Sequence, residues 1–229
     1  MSVEPTGELA IPSGQGPWPG VVVIHEAYGL NDDIRACCER LAGAGYLTFA
    51  PDLYRGGRLR CLVRAFRDLS ARRGQTFTDV EQSRRWLLDH PDCTGRVGII
   101  GFCLGGGFAL LAAAQSDYAV AAVNYGQVPK NAADVLTGAC PIVASYGGRD
   151  RTLAGAAGKL SGTLTEIGVT HDVREYPAAG HGFLNHHTPV LPARIVARAG
   201  FRGPEAADAW RRIETFFATH LPVERAGVD

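Results

Sequence analysis

A mostly parallel β-sheet with helices on both faces, an α/β class, is predicted by three observations. Short β-branched apolar runs recur along the chain, helix-length segments separate them, and the chemically active residue types gather where the runs end. The runs are residues 21–24, 46–50, 97–100, 120–123 and 142–146, and none alternates strictly between apolar and polar. Continuous apolar runs are the mark of strands buried on both faces, as parallel strands are.

Between the runs, residues 32–44, 78–89, 104–115 and 153–167 read as helices, and residues 204–220 read as a closing helix. Parallel neighbours need a crossover long enough to pass over the sheet, which these segments supply. Sheets built this way bind ligands beyond the carboxyl ends of their strands. The first run leads into "HEAYGL", the second into "PDLY", the third into Cys103, and the fifth into "GGRD". The segment "VREYP" leads into "AAGHGF".

The 229 residues, 46% hydrophobic and 20% charged, suit one domain spanning residues 1–229 around a large core. With 23 basic and 23 acidic residues the formal charge is zero, so no nucleic-acid partner and no anionic membrane is expected. A small-molecule substrate and a monomer or weak homodimer are expected instead. No stretch approaches the roughly 18 apolar residues of a membrane span, and the first residues lack a basic-then-apolar leader, so a cytoplasmic protein is expected. Six cysteines (Cys37, Cys38, Cys61, Cys93, Cys103, Cys140) form no CxxC pair, which points to neither a zinc site nor a disulfide framework. No metal and no cofactor is implied.

Gly101-Phe102-Cys103-Leu104-Gly105 has the form G-x-C-x-G at a strand-to-helix junction. Cys103 has two readings there: a small buried thiol, or a nucleophile held on a sharp turn at a helix N-terminus, where the dipole favours a thiolate. Asp150 after the fifth run and His181 in the "AGHGF" loop supply the order nucleophile, acid, histidine that a triad on such a sheet requires, and that order favours the second reading. Asp150 has its own alternative as a cap for the helix beginning near Thr152. His90, His186, His187 and His220 fall in surface turns or a helix end, His171 opens a strand, and Arg149 reads as a surface residue.

The stretches "VVVIHEAYGL", "APDLY", "VGIIGFCLGG", "YGGRD" and "YPAAGHGF" together resemble the dienelactone hydrolase (carboxymethylenebutenolidase) family, in the family's order and across nearly the whole chain. The resemblance implies an α/β-hydrolase fold, a cysteine nucleophile, and hydrolysis of carboxylic esters or lactones through a thioester acyl-enzyme. It makes Cys103, Asp150 and His181 the catalytic triad, and it gives Glu26, in the H-E-x-x-G element, the part of receiving the thiol proton when substrate binds. The backbone amides of Leu104 and Ala27 are then the expected oxyanion hole, worth about 3 kcal/mol per donor. Family members acting on dienelactone carry an arginine four residues beyond the histidine, whereas this chain has Asn185.

Tyr54 and Tyr125, at the ends of apolar runs, are candidate pocket residues together with Asn185; for both tyrosines core packing is the competing reading. Residues 55–73 carry seven arginines and read either as a cap over the site or as a basic solvated helix. Two other function classes fit the same residues: a thiol redox sensor, which requires a second thiol near Cys103, and a non-catalytic binding module that retains the pocket.

Overall fold

The computed structural model describes residues 5–55, 57–186 and 196–223. Its seven-stranded sheet comprises β1 (Gly7–Ala10), β2 (Trp18–Ile24), β3 (Leu47–Pro51), β4 (Cys93–Phe102), β5 (Ala121–Asn124), β6 (Ile142–Gly147) and β7 (His171–Tyr176). The spatial order is β1-β3-β2-β4-β5-β6-β7; β1 pairs antiparallel with β3, and every other neighbouring pair is parallel. The five apolar runs are the interior of this sheet, and His171 does open a strand. The short, half-exposed edge strand β1 has no run of that kind.

The helices are α1 (Asp32–Gly43), α2 (Arg58–Ala71), α3 (Gln75–Leu88), α4 (Leu104–Gln115), α5 (Ala132–Leu136), α6 (Ala156–Glu166) and α7 (Gly203–His220). Alternate residues of each strand feed opposite cores, as the pleat dictates. Val22, Ile24, Ile99, Val123 and Ala144 face one side, under Leu69 of α2, Leu87 of α3, Ala109 of α4 and Leu160 of α6. Val21, Val23, Ile100, Ala122 and Val143 face the other, under Ile34 and Leu41 of α1 and Trp210, Ile213 and Phe217 of α7. Cys103 packs against both cores, at the end of a central strand.

Two helix starts differ from the sequence reading by three residues, each for a local reason. The segment 153–167 begins as a single 3-10 turn, Arg151–Leu153, and becomes α-helical only at Ala156, because Gly155 takes a left-handed φ of 73°. Helix α3 begins three residues earlier than residue 78. Its N-terminus is capped from another helix: the buried Asp68 carboxylate of α2 accepts from the Thr76 N–H at 3.0 Å and from its hydroxyl at 2.9 Å. Among the described residues no helix is long and apolar enough to cross a membrane.

Candidate active site

Strand β4 ends at Phe102, helix α4 begins at Leu104, and the single residue between them turns the chain. Cys103 has φ 55° and ψ −115°, a conformation that side chains other than glycine rarely hold. Its neighbours explain why the turn can form. A Cβ on Gly101 would run into the carbonyl of Gly105, and one on Gly105 would meet the carbonyls of Ile24 and His25 at the end of β2. The two glycines therefore let α4 sit directly on the ends of β4 and β2. Cys103 donates its N–H to Asn124 O at 3.0 Å, which fixes the turn to β5, and its thiol remains partly exposed.

Asp150 follows β6 and is buried. Its two carboxylate oxygens have separate tasks: Oδ1 accepts from the Thr152 N–H at 2.9 Å and the Thr152 hydroxyl at 2.6 Å, while Oδ2 accepts from His181 Nδ1 at 2.6 Å. One side chain thus caps the turn at Thr152 and holds the His181 ring. Burial alone would raise this carboxyl, but the hydrogen bonds from His181 and Thr152 outweigh it and hold its pKa below the usual value.

His181 lies on the loop after β7. That loop is tied to the Asp150 loop by the Arg149 N–H donating to Ala179 O at 2.8 Å, and to the chain beyond by His181 N–H donating to Ala197 O at 2.9 Å. Burial would lower the imidazole pKa, but hydrogen bonding to Asp150 and to the Cys103 thiol outweighs it and pushes the value up to about 10. A shift in that direction favours the charged form of the ring. Tyr125, at φ 43° after β5, packs its ring 5.0 Å from the His181 ring and 5.8 Å from Phe183.

Strand β2, whose end meets α4 at Gly105, delivers His25 and Glu26, both 2% exposed. Glu26 is therefore no surface carboxylate. Burial pushes the His25 pKa down, and the neutral ring has a defined tautomer: Nδ1–H donates to Glu26 O at 2.8 Å, and Nε2 accepts from the Leu53 N–H at 3.2 Å. His25 so ties the end of β2 to the end of β3. The Tyr54 ring packs edge-on against it at 4.6 Å. Glu26 Oε1 accepts from Asn31 Nδ2 at 3.2 Å.

Both phenols stand within electrostatic reach of Glu26 and Cys103, and burial raises both of their pKa values. Asn185 is 5% exposed and donates its N–H to Gly182 O at 3.0 Å. The Tyr54 and Tyr125 hydroxyls and Asn185 Nδ2 are buried with no hydrogen-bond partner among the described residues. The Leu104 N–H opens α4 and has no acceptor within its helix, and Ala27 lies in the turn closed by Gly29 N–H donating to Glu26 O at 3.0 Å. Gly105 brings that turn and the start of α4 together.

The basic stretch forms α2, with Arg58, Arg60 and Arg67 exposed and Arg58 above the Tyr28 ring at 5.8 Å. His90 occupies a turn and His220 the end of α7, as expected; His186 is exposed and stacked on Phe201. Arg149 is exposed, and His187 lies outside the described residues. Asn31 and the fixed tautomer of His25 were not singled out from the sequence. The signal for Asn31 was present, a capping residue type directly before the two acids that open α1.

Comparison with known proteins decides the family. Residues 6–221 match the model of the "Dienelactone hydrolase family". The chain belongs to this family. A Yersinia pestis protein provisionally named carboxymethylenebutenolidase is 31% identical over 227 residues, covering 90% of this chain and 79% of that protein. The carboxymethylenebutenolidase of Rhodococcus opacus is 27% identical over 239 residues, covering 97% and 90%. A Klebsiella pneumoniae crystal structure provisionally named dienelactone hydrolase superposes with a TM-score of 0.74 at 27% identity, covering 91% of this chain and 90% of that one. The fold is that of the α/β-hydrolases, and the protein is a hydrolase.

Proposed function

We propose that this family member hydrolyses small carboxylic esters or lactones through a thioester acyl-enzyme formed on Cys103. The observation that carries the proposal is the 2.6 Å bond from His181 Nδ1 to the buried Asp150 carboxylate, with the same imidazole within electrostatic reach of a cysteine on a positive-φ turn.

In the first half-reaction the Cys103 thiolate attacks the substrate carbonyl carbon, and the carbonyl π pair moves onto oxygen. The Leu104 and Ala27 amides are the donors for that oxyanion. When the tetrahedral intermediate collapses, the C–O bond to the leaving group breaks and His181 gives its proton to the departing alkoxide or enolate. In the second half, neutral His181 takes a proton from water as the oxygen attacks the thioester, and the thiolate leaves. Asp150 holds the ring in the Nδ1–H tautomer and stabilises its charged form throughout. Glu26, buried next to the turn, is the further acceptor for the thiol proton that the family resemblance implies.

A thiolate leaves more easily than an amide nitrogen, so esters and enol lactones suit this site better than peptides. Asn185 in place of an arginine favours substrates without a carboxylate over dienelactone itself.

The test is turnover of aryl acetates and simple enol lactones. Wild-type protein should hydrolyse them, and Cys103→Ala should lose ~10,000-fold or more in kcat. Equal rates in the two proteins would remove Cys103 from the mechanism.

A further inference from the structure

We infer that Asn31 is a positioning residue for Glu26, built into the N-cap of α1; the inference rests on the part proposed for Glu26. Asn31 has extended backbone angles, φ −117° and ψ −178°, and its Oδ1 accepts from the Ile34 N–H at 3.1 Å, the standard bond of a helix cap. The same side chain donates from Nδ2 to Glu26 Oε1 at 3.2 Å. The cap bond settles which end of the amide is which. An N–H can only be met by the oxygen, so the NH2 group is directed at the carboxylate.

The choice of residue type follows from this double use. Asp and Ser cap a helix about as well as Asn, so the helix alone does not call for an amide. Glu26 does: Asp would set a second negative charge against a buried carboxylate, and Ser, whose one hydroxyl sits a bond nearer the backbone than the Asn amide nitrogen, would not extend from the cap to Glu26. Asn keeps the cap and leaves a donor for Glu26.

That donor lands on a side chain whose backbone is already fixed. Glu26 O accepts from His25 Nδ1 at 2.8 Å and from the Gly29 N–H at 3.0 Å, which leaves the Glu26 side-chain torsions to be held by what touches the carboxylate. Helix α1 is anchored in turn, with Ile34, Cys38 and Leu41 buried against the sheet. Two residues beyond the cap, Asp33 Oδ1 accepts from the His186 N–H at 2.9 Å, on the loop that carries His181. The first turn of α1 therefore touches both the carboxylate side and the histidine side of the candidate site. Through Asn31, the rigid helix sets the orientation of Glu26.

The experiment is a double-mutant cycle on an aryl ester, with kcat and KM measured separately for wild type, Asn31→Ser, Glu26→Gln and the double variant. Serine preserves the cap, and thermal denaturation of each variant verifies that the helix is held. Asn31→Ser is expected to lower kcat about tenfold in the wild-type background and by less than about twofold when Glu26 is already Gln, because the donor then has no carboxylate to act on. Asn31→Asp, which also caps, should lower kcat further than Asn31→Ser. An equal loss from Asn31→Ser in both backgrounds, or no loss in either, overturns the inference while leaving the role of Glu26 standing. A wild-type kcat for Glu26→Gln would instead overturn that role, and this inference with it.

Discussion

Cys103 and the pair Cys37–Cys38 are thiols of the same chain in opposite situations. Cys37 and Cys38 lie on the buried face of α1, where burial pushes both thiols up, Cys38 to about 12. Burial outweighs what opposes it: the nearby Arg40 guanidinium lowers Cys37, and the hydrogen bond with the Thr48 hydroxyl lowers Cys38. Cys103 stands partly exposed on a turn, at the start of a helix, near an imidazole whose pKa is raised. Thiol chemistry is therefore decided by which element ends beneath the sulfur and what faces it, since all three residues are identical in type. A cysteine in the middle of an amphipathic helix is core; a cysteine between two glycines at a strand end is presented.

The largest expected difference is in turnover. Cys38→Ala should keep its kcat and lose about 1 kcal/mol of stability through the smaller core side chain, against the loss of ~10,000-fold or more from Cys103→Ala. Steady-state kinetics beside urea denaturation measures both, and a Cys38→Ala enzyme as dead as Cys103→Ala would erase the contrast.

A step smaller, Asp150→Asn should lower kcat by about 1,000-fold with the fold intact. The amide oxygen can still cap Thr152, but its NH2 would face His181 Nδ1, and the ring would turn to the wrong tautomer. Alkylation of Cys103 by iodoacetamide at neutral pH should slow in the same variant. Unchanged alkylation would mean that the thiolate does not depend on the Asp150–His181 pair.

The smallest effect is on stability against pH. His181 is raised in the folded protein to about 10 from an ordinary 6.5. The stabilisation from its charged form is thus complete below about pH 6.5 and is lost as pH rises towards 10. Urea midpoints for wild type and His181→Gln should lie furthest apart at or below pH 6.5 and converge towards pH 10. A gap that widens with pH would reverse the assigned sign.

Legibility from the sequence followed burial. The five interior strands were readable because parallel strands covered on both faces are continuous apolar runs, and helix α4 was readable from its alanine-rich segment, residues 104–115. Strand β1 was not, since Gly7–Ala10 is short, half-exposed and on the sheet edge. Helix α2 was one of two readings of its arginine-rich stretch, and what the arginines masked was its buried stripe, Cys61, Ala65 and Leu69, four residues apart. The start of α3 depends on Asp68 from another helix, a tertiary cap that no local pattern announces. At the site, the order Cys103, Asp150, His181 was legible because topology fixes it. The burial of Glu26 and its contact with Asn31 were not, because they arise where a loop folds back on α1.

The most direct test of the nucleophile is to trap it. Protein mixed with an aryl ester or enol lactone, quenched in acid during turnover and digested, should yield one acyl adduct by mass spectrometry: a thioester on the peptide bearing Cys103, with Cys37 and Cys38 unmodified. An adduct on any other residue, or turnover with no adduct under single-turnover quench, would contradict the account.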